Sequence, residues 1–243
     1  MKGVAMGNGV RVVTALNRKG GCGKTTLIMG LASAAAERGE TVTIFDTDES
    51  KSTFKWMQRA KAAGNWNPLV NVVPSLSASS IVEEIDHIHE QQDQEHLILQ
   101  DTFGGGSEAQ DLLVLKSHIL VAPCMLSANN YEETLETALW YLRLKKRVDD
   151  PGEVPPFKVL INRMALRRSA SEEGVYVELL NRMPVLDEIV MNRAMYGRMD
   201  SDGLLGEIKK NTTNAGIVDY LTTALGEMDD VLKEIDRTIK EAE

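Results

Sequence analysis

Apolar residues follow two alternating rhythms along this chain. Short continuous runs fall at Val10 to Leu16, Thr41 to Phe45, Val70 to Val73, Leu97 to Gln100, His118 to Pro123 and Val159 to Ile161. Between them lie longer stretches where apolar residues recur every three or four positions, at Thr25 to Glu37, Lys51 to Ala63, Ser79 to Gln91, Tyr131 to Lys145 and Glu172 to Met183. A final such stretch runs from Ile217 to Lys240. Unbroken apolar runs suit strands covered on both faces, and the 3.6-residue rhythm suits helices. Their alternation predicts βαβ units, hence a doubly wound, mainly parallel sheet flanked by helices. No repeat and no linker rich in Pro, Gly or Ser interrupts residues 1–243, so one domain is expected.

The first strand runs directly into Lys19 to Thr26, KGGCGKTT, and then a helix. A glycine-rich turn between strand and helix makes an anion cradle, because its N–H groups and the helix N-terminus point at one place. Gly20, Gly21, Cys22 and Gly23 form the cradle, Lys24 reaches the β- and γ-phosphates, and Thr25 offers a hydroxyl to Mg²⁺, with Thr26 beside it. A phosphate loop also needs acids to hold the metal and orient water. Two strands deliver them, at Asp46-Thr47-Asp48 and at Asp101-Thr102. Asn162-Arg163 ends another strand, where an Asn taken alone is more often a turn residue.

The common loop reads G-x-x-x-x-G-K-[ST], but its first glycine position is Arg18, and Lys19 follows. In this the chain resembles the ParA/MinD group of deviant Walker A ATPases at every fixed position of KGG-x-GK-[ST][ST]. The resemblance implies ATP and Mg²⁺ as ligands, and a homodimer when ATP is bound. It implies that Lys19 reaches across that dimer to the partner's ATP. Asp48 becomes the acid associated with the hydrolytic water and the metal, with Asp46 nearer the loop. Asp101 takes the Walker B position and contacts Mg²⁺ through water, and Thr102 to Gly106 becomes the second switch. Asn162, with Arg163, falls where the group reads adenine.

Within the group the chain departs from D-x-D-P-Q, reading Asp46-Thr47-Asp48-Glu49-Ser50. Phe45 to Glu49 with Trp56, Asp101 to Glu108, and Pro123 to Leu126 are similar to the VirC-type ATPases of T-DNA and conjugative transfer. That branch implies a slow, partner-stimulated ATPase that positions DNA or a relaxosome-type complex, with plasmid or chromosome partition as the neighbouring role. ParA relatives also hold DNA without sequence preference, through basic residues of the C-terminal half. Arg193, Arg198, Lys209 and Lys210 are the candidates here, and Met191 to Asp200 is expected as a loop over the nucleotide site.

Composition trims the alternatives. A net charge of −9 weighs against a chain that binds nucleic acid over its whole surface, though not against a local patch. Two cysteines, Cys22 and Cys124, without a C-x-x-C, argue against the redox and cluster-carrying enzymes built on this scaffold. The N-terminus lacks an apolar signal core and no run is long enough to span a bilayer, so a cytoplasmic protein is expected. Val231, Leu232, Ile235 and Ile239 make a helical stripe near the end, but balancing acids and the lack of an aromatic anchor argue for packing against the domain over membrane attachment. Trp56, Trp66 and Trp140 are expected at helix–sheet contacts. His87, His89 and His96 lack metal-site spacing. Lys145, Lys146 and Arg147 suit a helix C-terminus.

Overall fold

The computed structural model describes residues 9–18, 20–75, 77–91, 95–102 and 108–242. Six strands form the sheet: β1 (Val10–Ala15), β2 (Thr41–Asp46), β3 (Val70–Pro74), β4 (His96–Asp101), β5 (Ile119–Cys124) and β6 (Phe157–Ile161). Their order is β3-β2-β4-β1-β5-β6, and every neighbouring pair is parallel. β1 therefore lies near the middle, and the loop that follows it opens at the carboxyl edge, where open α/β sheets bind ligands.

The apolar runs are buried on both faces, as their continuity requires. Val13, Ala15, Ile44, Leu97, Leu99 and Val121 face α1 (Lys24–Glu37). Alternate residues face the other way. Val10, Val12, Phe45 and Ile98 meet α3 (Ala78–Gln91) and α4 (Glu108–Leu115), while Leu120, Ala122, Val159 and Ile161 form a cluster with Leu144 of α5 (Ala128–Arg147) and Leu179 of α6 (Ala170–Arg182). The strand period of two sorts one run into two cores.

α1 is buried almost throughout because α9 (Ala215–Ala242) covers its outer side. Gly30 makes that approach possible, since a Cβ there would lie 2.5 Å from Met228 Sδ. Val231, Leu232, Ile235 and Ile239 are all buried on α9. The terminal stripe is thus core, as its charge balance suggested. No helix among the described residues is long and apolar enough to cross a membrane.

Met191 to Asp200 departs from expectation. It is no loop over the phosphate turn: α7 (Ala194–Asp202) occupies most of it and packs on α1 and on α2 (Ser52–Ala62). Tyr196 and Met199 are buried, and Trp56 Nε1 donates to the Met199 carbonyl at 2.8 Å. A short α8 (Leu205–Asn211) follows. Trp56 is fully buried, edge-on to Trp66 with ring centres 5.1 Å apart. Lys145, Lys146 and Arg147 do occupy the last turn of α5, where cations favour the helix dipole.

Candidate functional site

The turn from β1 to α1 has the shape of an anion cradle. Gly21 and Gly23 have left-handed φ of 81° and 100°, and Gly23 caps α1 without any side-chain bond to its first N–H groups. Those donors point out of the helix end with no cap of their own, as anion binding requires. Gly23 is required on two counts. Its φ disfavours a Cβ, and a Cβ would fall 2.0 Å from Asn162 Nδ2. That amide donates to the Cys22 carbonyl at 3.0 Å, so buried Asn162 braces the turn from the end of β6.

Lys24 Nζ donates to the Asn17 carbonyl at 3.0 Å, at the base of the turn. Asn17 is itself fixed, donating to the Pro123 carbonyl and to Thr134 Oγ1, each at 3.0 Å. Pattern reading passed over Asn17, though a polar residue directly after a buried strand was its signal. Cys22 is buried in the turn, and burial raises its thiol above the ordinary value. Gly20 and Gly21 are exposed, Thr25 and Thr26 half-buried. Lys19 and Phe103 to Gly106 lie outside the described residues.

Thr25 Oγ1 donates to Asp101 Oδ2 at 2.8 Å, joining the head of α1 to the carboxyl end of β4. Burial pushes the Asp101 carboxyl up to about 6, with Asp46 and Asp48 adding to the rise and Thr25 and Lys24 opposing it. A hydroxyl and a carboxylate with their oxygens together are a donor set that fits Mg²⁺. Asp46 pairs in register with Asp101, yet its carboxylate turns away to α2, accepting from the N–H groups of Thr53 at 2.9 Å and Phe54 at 3.1 Å. It is a helix cap. Asp48, half-buried, accepts from Ser50 N at 2.8 Å in a tight turn beyond β2. Thr47 Oγ1 donates to the Asp101 carbonyl at 3.0 Å, and Thr102 Oγ1 to the Ala15 carbonyl at 2.9 Å. The ends of β1, β4 and β2 are thereby laced together.

The sequence model described as VirC1 protein matches residues 10–242. The chain belongs to the VirC1 family. Protein virC1 of Rhizobium radiobacter is 29% identical over 201 residues, covering 81% of this chain and 83% of that one. Among solved structures, apo McdA of Cyanthece superposes with a TM-score of 0.67 at 15% identity, over 92% of this chain and 99% of that one. The septum site-determining protein MinD of Pyrococcus horikoshii OT3, complexed with Mg-ADP, gives 0.60 at 15% identity, over 93% and 97%. The fold is that of the ParA/MinD P-loop proteins, and this chain carries the loop KGGCGKTT at Lys19 to Thr26.

The basic residues considered for DNA are each engaged by a carboxylate. Arg193 donates through Nε and Nη2 to Glu227 Oε2 at 3.0 and 2.8 Å. Arg198 pairs with Asp202 at 3.0 Å, Lys209 with Glu37 at 2.9 Å, and Lys210 with Glu207 at 2.9 Å. Glu227 also accepts from Met191 N and the Tyr196 hydroxyl, so Arg193 belongs to a clip that fastens residues 191–196 to α9.

Proposed function

We propose that this VirC1-family chain is an ATP-dependent dimeric switch that positions DNA or a DNA-processing complex, in conjugative-type transfer. The observation that carries the reading is the 2.8 Å Thr25–Asp101 bond at the head of an uncapped helix behind a glycine turn. Lys24 and the α1 N-terminus hold the phosphates. Thr25 and Asp101 would hold Mg²⁺, which when bound would neutralise phosphate charge. Asp48 orients the attacking water, and Lys19 crosses to the phosphates of a second copy. Asn162, already against Cys22, sets the turn relative to β6, where with Arg163 it borders the base.

The switch follows from the lacing. A change at Asp101 is felt by Thr47, which bonds its carbonyl, and so by the Asp48 turn one residue on. Loss of the terminal phosphate relaxes these contacts, and the dimer releases its DNA or partner protein. Size-exclusion chromatography with light scattering, with duplex co-sedimentation at two salt concentrations, tests the reading. Asp48→Ala should accumulate as an ATP-bound dimer that retains DNA, and Lys24→Ala should stay monomeric. Hydrolysis by Asp48→Ala at the wild-type rate would remove Asp48 from its role.

A further inference from the structure

Two non-glycine residues among those described have positive φ: Lys51 at 52° and Arg163 at 53°. A side chain with a Cβ is strained there, and glycine would adopt the conformation freely. Strain of this kind persists only where the surrounding structure over-determines it, and it clusters at active sites and ligand clamps. Both residues are exposed cations, and both stand just past the carboxyl ends of strands, β2 and β6, on the edge that carries the cradle. Neither belongs to an ion pair among the described residues, although Asp48 and Glu49 come immediately before the Ser50–Lys51 step. Arg193, Arg198, Lys209 and Lys210 are all neutralised by neighbours.

Local bonds fix where Lys51 stands. Its N–H donates to the Asp48 carbonyl at 2.9 Å, and its carbonyl accepts from Lys55 N at 3.0 Å. It is therefore the single residue between the Asp48 turn and α2, whose first N–H groups rest on Asp46. β2 is separated from β1 only by β4, so the turn lies two strand spacings, about 10 Å, from the line of the phosphate loop. The electrostatics of this edge need a cation. Asp46 and Asp48 lie near enough to Asp101 for their charges to act on it, so a phosphate brought to this edge would meet carboxylates that a cation would offset.

We propose that Lys51 is a further ATP-contacting residue, its ammonium meeting the terminal phosphate beside Asp48. The proposal rests on the ATPase reading above. The backbone strain supplies an unusual control: Lys51→Gly removes the charge and relieves the conformation together, so the variant should fold with a melting temperature equal to or above that of the wild type.

The test measures binding of fluorescent ATPγS and ADP to wild type, Lys51→Gly, Lys51→Asn and Lys51→Arg of the full chain. Lys51→Gly and Lys51→Asn should lose about fivefold to tenfold in ATPγS affinity, the worth of one partly screened charge contact, and keep their ADP affinity. Lys51→Arg should stay near wild type for both. ATPγS and ADP binding unchanged in Lys51→Gly, beside a raised melting temperature, would overturn the assignment alone. A wild type that binds neither nucleotide would overturn the ATPase reading and this assignment with it.

Discussion

The two ends of the sheet handle charge in opposite ways. At the carboxyl end, glycines hold left-handed turns, Asp48 is half-buried, and Lys51 and Arg163 stand exposed without carboxylate partners among the described residues. At the amino end, Arg11 is buried on β1 among Glu40, Glu95 and Asp236, and Arg38 pairs with Glu40, Asp236 and Asp229. Beside them His96 and His118 are buried, His96 Nε2 within 2.9 Å of Thr43 Oγ1 and His118 Nδ1 accepting from Val12 N. One end keeps polar groups reachable and tolerates strain. The other satisfies charge internally and ties α9 to the sheet. Function and stability are thus divided along the length of the same strands.

The division is most severely tested by Arg11→Met. The side chain is 6% exposed, and without it Glu40 and Asp236 keep only Arg38. Removing one partner from a buried network leaves uncompensated charge, and the expected loss is about 3 kcal/mol. Denaturant unfolding reads that loss, while ATPγS affinity should stay within about twofold of wild type, since a stability defect at the far end leaves the cradle geometry alone. A parallel fall in affinity would show that the two ends are coupled.

Gly23→Ala is the reciprocal experiment. The new methyl meets Asn162 Nδ2 in a backbone conformation that disfavours it, so the brace on Cys22 must move. About 2 kcal/mol of stability should go, with nucleotide binding below detection in a fluorescence titration. Retained binding would mean that the turn holds its shape without Asn162.

The histidines give a smaller effect, with a definite sign. Burial, helped by His89 and Arg11, pushes His96 and His118 down to about 4. Between pH 6.5 and 4 the unfolded chain binds the protons that the folded chain refuses, so stability is full above about pH 6.5 and lost as pH falls toward 4. In His118→Asn the amide oxygen can still accept from Val12 N, and that variant should lose about 1–2 kcal/mol less than wild type between pH 7 and 5. Urea midpoints with parallel slopes would assign the pH dependence elsewhere.

These contrasts were unevenly legible beforehand. The phosphate turn, Asp101 and the strands could be read because each is a local pattern: contiguous apolar residues, glycines at set spacing, an acid at a strand end. α4 and α8 were missed, since helices of 8 and 7 residues barely complete an apolar period. α7 was expected as a loop because its buried Tyr196 and Met199 are too few to show a stripe. Arg11 drew no attention inside the first strand, for its partners lie 29, 84 and 225 positions away, and no local pattern can announce them. Asp46 resembled a site acid, and only the fold shows that its oxygens cap α2. Backbone strain at Lys51 leaves no trace in composition at all.

The smallest expected effect sharpens what the comparison says about DNA. Lys209 pairs with Glu37 at 2.9 Å with both side chains partly exposed, 24% and 33%, so Lys209→Ala should change stability by less than about 0.5 kcal/mol. Its interest lies in the salt dependence of duplex binding by the ATP-bound protein. A residue that gives up a carboxylate to meet a phosphate releases one counterion, and its loss lowers the slope of log affinity against log salt by about 1. Glu37 competes for the same ammonium, so a Lys209 that stays with Glu37 leaves the slope unchanged. If the slope falls, the pair opens on DNA, and the helical flank is a phosphate surface held in reserve by its own acids. If it does not, duplex contacts must come from other cations, and Arg163, exposed just past β6, becomes the next to remove.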